Sequence, residues 1–229
     1  MKLEELGEGD GLSSDVPFRE LVGSLMWLGC QTRPDIANAV RAMARYSAAP
    51  KLIHWKAALG ILRYLKRTLS LGITFERGTV AGLSLQAYAD SDYASKAADT
   101  RSVSGGLLMC GGGVVNWFSR TQKCVTLSTT EAEYVAITDV VKELLFVRQV
   151  WRFMLPEVGM PCVPVFEDNQ GALKIANNPI NNSNSKHIDV RHHFIYQGDG
   201  SVEGDFNCVC SLGVSVCRLP YKAVGCRIF

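Results

Sequence analysis

Leu127-Ser128-Thr129-Thr130-Glu131-Ala132-Glu133-Tyr134 opens the longest helical pattern in the chain, and its reading decides the fold. Ser128 with Glu131 three residues on has the spacing of a capping box, so a helix starts here and runs to about residue 155. Within it Glu133, Ile137, Val140, Leu144, Val147 and Trp151 recur at steps of three and four. At about 100° per residue these positions share one narrow face. Five are apolar and make a stripe for burial. Glu133 is the sixth, a carboxylate on the core face in the first turn. Glu131 and Lys142 fall on the opposite face, where charge is ordinary. An inward carboxylate needs a partner, a proton or a metal.

Working outward from this helix, the preceding segment reads as strands over residues 83–90, 104–110 and 114–119, the last two joined by Gly111-Gly112-Gly113 as a hairpin. After the helix, residues 165–167 are a short strand with Pro164 at its first position, where proline is tolerated. Residues 169–176 read as a short helix, 177–186 as a polar loop and 187–196 as a last helical pattern. This order predicts an α/β domain, a mixed sheet flanked by helices, over residues 83–197. Upstream, 17–31, a helix opened by Pro34 and ending before Pro50, and 52–69 form a helical segment over residues 17–77. A short strand is expected at 72–75 and a boundary near 78–82. Residues 1–16 are an acidic, Gly/Ser-rich lead, expected to be disordered.

The 229 residues suffice for one large or two small domains, and a composition 47% hydrophobic and 20% charged is that of a soluble globular protein. Net charge is only +2, but residues 33–69 carry eight Lys and Arg against Asp35 alone. Lys56, Arg63 and Arg67 line one flank of the third helix. A block this one-sided points to a polyanionic partner, with a solvated helix face as the alternative. The eight cysteines form no CxxC and no zinc-like spacing with histidine. With no apolar leader and no run of transmembrane length, the expectation is an intracellular protein with reduced thiols.

Asp90 and Asp168 stand at the ends of the first and fourth predicted strands of the α/β domain. Acids at the carboxyl ends of neighbouring strands converge on one sheet edge, and Glu133 can reach the same place. Asp189 opens the last helix and can close the ring. Asp168 and Asp189 can equally be helix N-caps. Four such acids cannot share a site as bare anions. Oxygen-only ligands point to Mg²⁺ or Mn²⁺, and two ions about 4 Å apart would activate a water and stabilise the leaving oxygen of a phosphodiester.

Six stretches in order then carry a resemblance: Tyr88 to Ala94, Thr100 to Gly105, Val115 to Gln122, Leu127 to Tyr134, Glu167 to Gln170 and Lys186 to Ile195. They resemble the ribonuclease H region of copia-type retrotransposon Pol polyproteins. Upstream, Arg19 to Leu25, Thr32 to Ile36 and Ile61 to Lys66 resemble the thumb-like segment that follows the polymerase palm in the same polyproteins. The resemblance implies a ribonuclease H-like fold preceded by a small helical thumb-like segment, and cleavage of the RNA strand of an RNA–DNA hybrid. It implies that Asp90, Glu133, Asp168 and Asp189 are the metal-binding acids. Arg120 and Lys123 become candidates for phosphate contact, with a solvated hairpin end as the alternative. His187 becomes a candidate for product release or proton transfer, a cap or packing role being the other option. A hybrid would be read through shape, phosphates and 2′-hydroxyls. The implied setting is intracellular: cytoplasm, virus-like particle or nucleus.

Two departures stand out. No Asp-Asp pair occurs in a strand–turn context, so no polymerase activity is expected. The resemblance stops near Tyr196, and residues 198–229 read as an aberrant Gly- and Cys-rich tail with no evident place in the fold. The second functional reading is therefore a catalytically inactive retroelement remnant that binds nucleic acid through its basic helical segment.

Overall fold

The computed structural model describes residues 16–75, 84–95, 100–157, 162–177, 207–209 and 214–218. The chain divides into two compact units between Ile73 and Thr74. The boundary expected from sequence, near 78–82, lies outside the described residues.

The first unit is helical. It comprises α1 (Phe18–Gln31), a 3-10 turn at Pro34–Ile36, α2 (Ala37–Ala44) and α3 (Leu52–Arg67). Phe18, Val22 and Leu25 of α1 meet Ile36, Val40 and Met43, with Ala58 and Leu65 of α3 completing the core. Arg33 belongs to the basic block by sequence but is buried, and its role is structural. It pairs with Asp35 at 2.7 Å and donates to the Thr68 carbonyl (2.9 Å) and hydroxyl (2.7 Å), tying the start of α2 to the end of α3. Asp35 is held below the usual carboxylate range chiefly by that guanidinium. Residues 72–75, expected as a strand, join no ladder; an isolated strand has nowhere to place its backbone hydrogen bonds.

Among the described residues, the second unit is built on a six-stranded mixed sheet. Its strands are β1 (Leu85–Asp92), β2 (Val103–Cys110), β3 (Gly113–Thr121), β4 (Val163–Glu167), β5 (Asn207–Val209) and β6 (Val214–Arg218), in the order β3-β2-β1-β4-β6-β5. β1, β2 and β3 run antiparallel in sequence, and β4 lies parallel to β1. The hairpin between β2 and β3 is tighter than a three-glycine turn: Gly111 and Gly112 take positive φ (56° and 79°) and Gly113 begins β3. Pro164 lies inside β4, not at its start. It precedes the ladder with β1, which begins at Val165, and stands opposite Ser215 in the ladder with β6.

Between β3 and β4 the chain crosses over through α4 (Thr129–Met154), and α5 (Gln170–Asn177) follows β4. Leu85, Ala87 and Ala89 of β1 and Val163 and Val165 of β4 alternate onto the face that meets Ile137, Val140, Val141 and Leu144 of α4. The tail contributes to this core. Val214–Arg218 pairs in parallel with β4, and Val214 and Val216 are buried. The expectation that this stretch has no place in the fold is corrected on that point: its alternating valines fit the inward period of a strand. No helix among the described residues is long and apolar enough to cross a membrane.

Candidate metal centre

The start of α4 is fixed twice. Ser128 Oγ accepts from the Glu131 backbone N–H at 3.2 Å, and Glu131 Oε2 accepts in return from the Leu127 N–H at 2.7 Å. Glu131 is consequently buried, against the expectation of an ordinary surface charge. A third anchor comes from the end of β3. Gln122, itself buried, donates to the Ala132 carbonyl at 2.8 Å and to Ser104 Oγ at 3.1 Å. Thr129 is exposed and Thr130 half-buried at the start of α4, but residues 131–138 are buried on every side. Glu133 is among them.

The second wall is the carboxyl edge of the sheet. The parallel register pairs Tyr88 with Phe166, so Asp90 and Asp168, each two residues further on, come out at the same edge. Asn169, not Asp168, caps α5: its Oδ1 accepts from the Gly171 and Ala172 N–H groups at 2.9 and 3.1 Å. This leaves the Asp168 carboxylate, which is exposed, out of the cap. Ser102 Oγ accepts from the Ala94 N–H (3.1 Å) and bonds the Thr126 hydroxyl (2.9 Å), holding the loop after β1.

Glu133, Glu167 and Asp168 each offer one oxygen, and these oxygens lie within 4.8 Å of one another. Asp90 stands beside them. Burial lifts its carboxyl to about 6, and the Asp168 and Asp92 charges push the same way. Glu133 is lifted to about 8, first by burial and then by the Asp90 charge. Glu167 is lifted to about 10 by burial and by Glu133. These are the shifts expected where acids crowd without a counter-charge. Glu133 Oε2 and Glu167 Oε2 are buried without a hydrogen-bond partner. Two orphaned carboxylate oxygens facing a third carboxylate fit a hard divalent cation.

The structure thus brings Asp90, Glu133 and Asp168 to one edge, and Asp189 and His187 lie outside the described residues. Glu167 is a member that the sequence reading misses. Its signal is the alternation Val163, Val165, Glu167, which puts a carboxylate on the inward face of a strand. Lys56, Arg63 and Arg67 are exposed on α3. Arg120 is paired with Glu143 at 2.7 Å and lies over the Phe118 ring at 4.0 Å. Lys123 is exposed just beyond β3.

The second unit is thus a mixed sheet flanked by helices, with acids gathered at the carboxyl ends of its central strands. The chain is 38% identical over 190 residues to the "Retrovirus-related Pol polyprotein from transposon TNT 1-94" of Nicotiana tabacum, covering 82% of this chain and 14% of that protein. It is 36% identical over 190 residues to the "Retrovirus-related Pol polyprotein from transposon RE2" of Arabidopsis thaliana, covering 83% of this chain and 13% of that one. The chain is a homologue of these retrotransposon Pol polyproteins and spans about a seventh of their length. No protein-family profile matches it. Solved structures that align with it in part include ribonuclease H1 of Halobacterium salinarum (TM-score 0.37, 15% identity, 61% of this chain and 88% of that one) and LC11-RNase H1 from compost (TM-score 0.41, 13% identity, 61% and 86%).

Proposed function

We propose that this chain is a retrotransposon ribonuclease H, hydrolysing the RNA strand of RNA–DNA hybrids in a metal-dependent reaction. The observation that carries the reading is the convergence of Glu133, Asp168 and Asp90 on one sheet edge with two buried carboxylate oxygens left unpartnered. Asp90, Glu133 and Asp168 would hold the metal, with Asp189 the fourth acid of the set. Bound there, two Mg²⁺ or Mn²⁺ ions would lower the pKa of a water and neutralise charge at the scissile phosphate.

The remaining work falls to the chain. The capped start of α4 and the Gln122 bond hold Glu133 in a fixed orientation, and burial keeps bulk water off it. Asp168 and Asp90 are the more open members, so the phosphate would approach from their side. As water's oxygen bonds to phosphorus and gives up one proton to solvent, the bond to the leaving ribose oxygen breaks and that oxygen takes up a proton in turn. Lys56, Arg63 and Arg67 on α3, with Arg120 and Lys123, are assigned to phosphates, and specificity for a hybrid would come from shape and 2′-hydroxyls. The setting would be intracellular.

The test is cleavage of a labelled RNA–DNA hybrid with and without Mg²⁺, beside the Glu133→Gln variant. Mg²⁺-dependent cutting of the RNA strand, abolished by that change, is the expected result. Salt-sensitive hybrid binding without cutting by a folded parent would replace this reading with that of a nucleic-acid-binding remnant.

A further inference from the structure

Glu167 is the last residue of β4 and is fully buried. Its two oxygens do different things. Oε1 accepts from the Asp168 N–H at 3.1 Å and the Asn169 N–H at 3.0 Å, closing the turn into α5. Oε2 is buried with no hydrogen-bond partner, and Glu167 stands in the same 4.8 Å group as Glu133 and Asp168. The turn needs only a single acceptor, which an amide or a hydroxyl could supply. The inward face of β4 otherwise carries Val163 and Val165, so an apolar or neutral residue would be the least costly choice here. A second, unsatisfied anionic oxygen in that position is unfavourable unless something cationic meets it.

We infer that Glu167 is a further ligand of the metal centre, contributing Oε2 to the cation from the interior side of the sheet edge while Glu133 and Asp168 contribute from α4 and the rim. The inference rests on the metal-dependent reading above and extends it to a residue outside the expected set of four. It also gives one side chain two linked duties. Through Oε1, Glu167 fixes the backbone of Asp168, a neighbouring ligand, and of Asn169, whose side chain caps α5. Through Oε2 it adds the most deeply buried carboxylate oxygen at the centre.

The experiment uses the full chain and Mn²⁺ alone, with affinity read from the electron paramagnetic resonance signal of unbound Mn²⁺ and from the Mn²⁺-induced shift in Tm. Glu167→Gln keeps an acceptor for the two N–H groups and removes the charge. The expected result is a cooperative metal-free melt, an affinity for Mn²⁺ about tenfold or more below the parent's, and a smaller Mn²⁺-induced shift. Parent-like Mn²⁺ affinity in this variant would overturn the ligand role and reduce Glu167 to a turn residue, while leaving the proposed activity standing. A parent that binds no Mn²⁺ would overturn both. Should Glu167→Gln fail to melt cooperatively, Glu167→Asp takes its place, since it keeps the charge but withdraws it by one methylene. The same loss of Mn²⁺ affinity is expected there, and parent-like affinity would again overturn the inference.

Discussion

Gln122 donates its side-chain amide to the Ala132 carbonyl at 2.8 Å, so the end of β3 holds the first turn of α4 one residue before Glu133. The same nitrogen reaches Ser104 Oγ on β2 at 3.1 Å. A carboxylate on a helix terminus is only as well placed as the terminus, and this one is fixed to two strands. Gln122→Met keeps the volume and removes the donors. It should cost about 1–2 kcal/mol in urea unfolding. It should also lower hybrid cleavage more than the stability loss alone accounts for, because Glu133 loses its anchor.

Gly106 marks a second close approach, between the sheet and α4. A Cβ there would meet Val140 Cγ2 at 2.8 Å and press into the Phe118 ring. Neither can retreat, since Val140 is fully buried and Phe118 packs on the core. Gly106→Ala should destabilise by roughly 1–3 kcal/mol through overpacking. Denaturant midpoints of the two proteins give the comparison, and an unchanged midpoint would show that α4 and β2 pack more loosely than described.

How far these features can be read in the sequence depends on their physical range. α4 is legible because capping and 3.6-residue periodicity are local, and Glu133 stands out because it breaks an apolar stripe. The same periodicity assigns Glu131 to the surface, yet a tertiary surround and its bond to the Leu127 N–H bury it. Asp168 and Asn169 are adjacent and equally suited to cap a helix; only backbone geometry chooses Asn169. Glu167 goes unnoticed because a strand read as three residues is too short to display its alternation. The parallel pairing of Val214–Arg218 with β4 joins residues some fifty positions apart, and composition carries no trace of such a partner.

The acids also make stability depend on pH. Asp90 and Glu133 are raised from 3.8 and 4.5 to about 6 and about 8, and Glu167 from 4.5 to about 10. The folded state therefore binds these protons more tightly than the unfolded chain does. Stability from this source is fully present below about pH 4 and declines as pH rises through the folded values. In EDTA the Tm should fall between about pH 5 and pH 9. Mg²⁺ binds the deprotonated acids and should offset part of that fall, most strongly at the alkaline end. Differential scanning calorimetry at matched ionic strength reads both curves. A metal-free Tm that rises across this interval would contradict the crowded-acid description.

Lys56, Arg63 and Arg67 are spaced by seven and four residues, which puts them on one exposed face of α3. Their neighbour in the basic block, Arg33, is engaged with Asp35 and Thr68 and is a structural residue. The distinction separates binding from folding. Replacing the three exposed residues together by Ala should leave the melt of the first unit nearly unchanged, because surface substitutions of this kind move stability little. It should weaken hybrid binding across all sequences alike. It should also flatten the plot of log affinity against log salt by about one for each phosphate that is no longer neutralised. Arg33→Ala should do the reverse, since it leaves Asp35 without its partner and the Thr68 carbonyl without its donor. Fluorescence anisotropy with a labelled hybrid over a salt series, paired with urea melts, separates the two outcomes. An unchanged salt slope in the triple variant would move the duplex-binding surface away from α3.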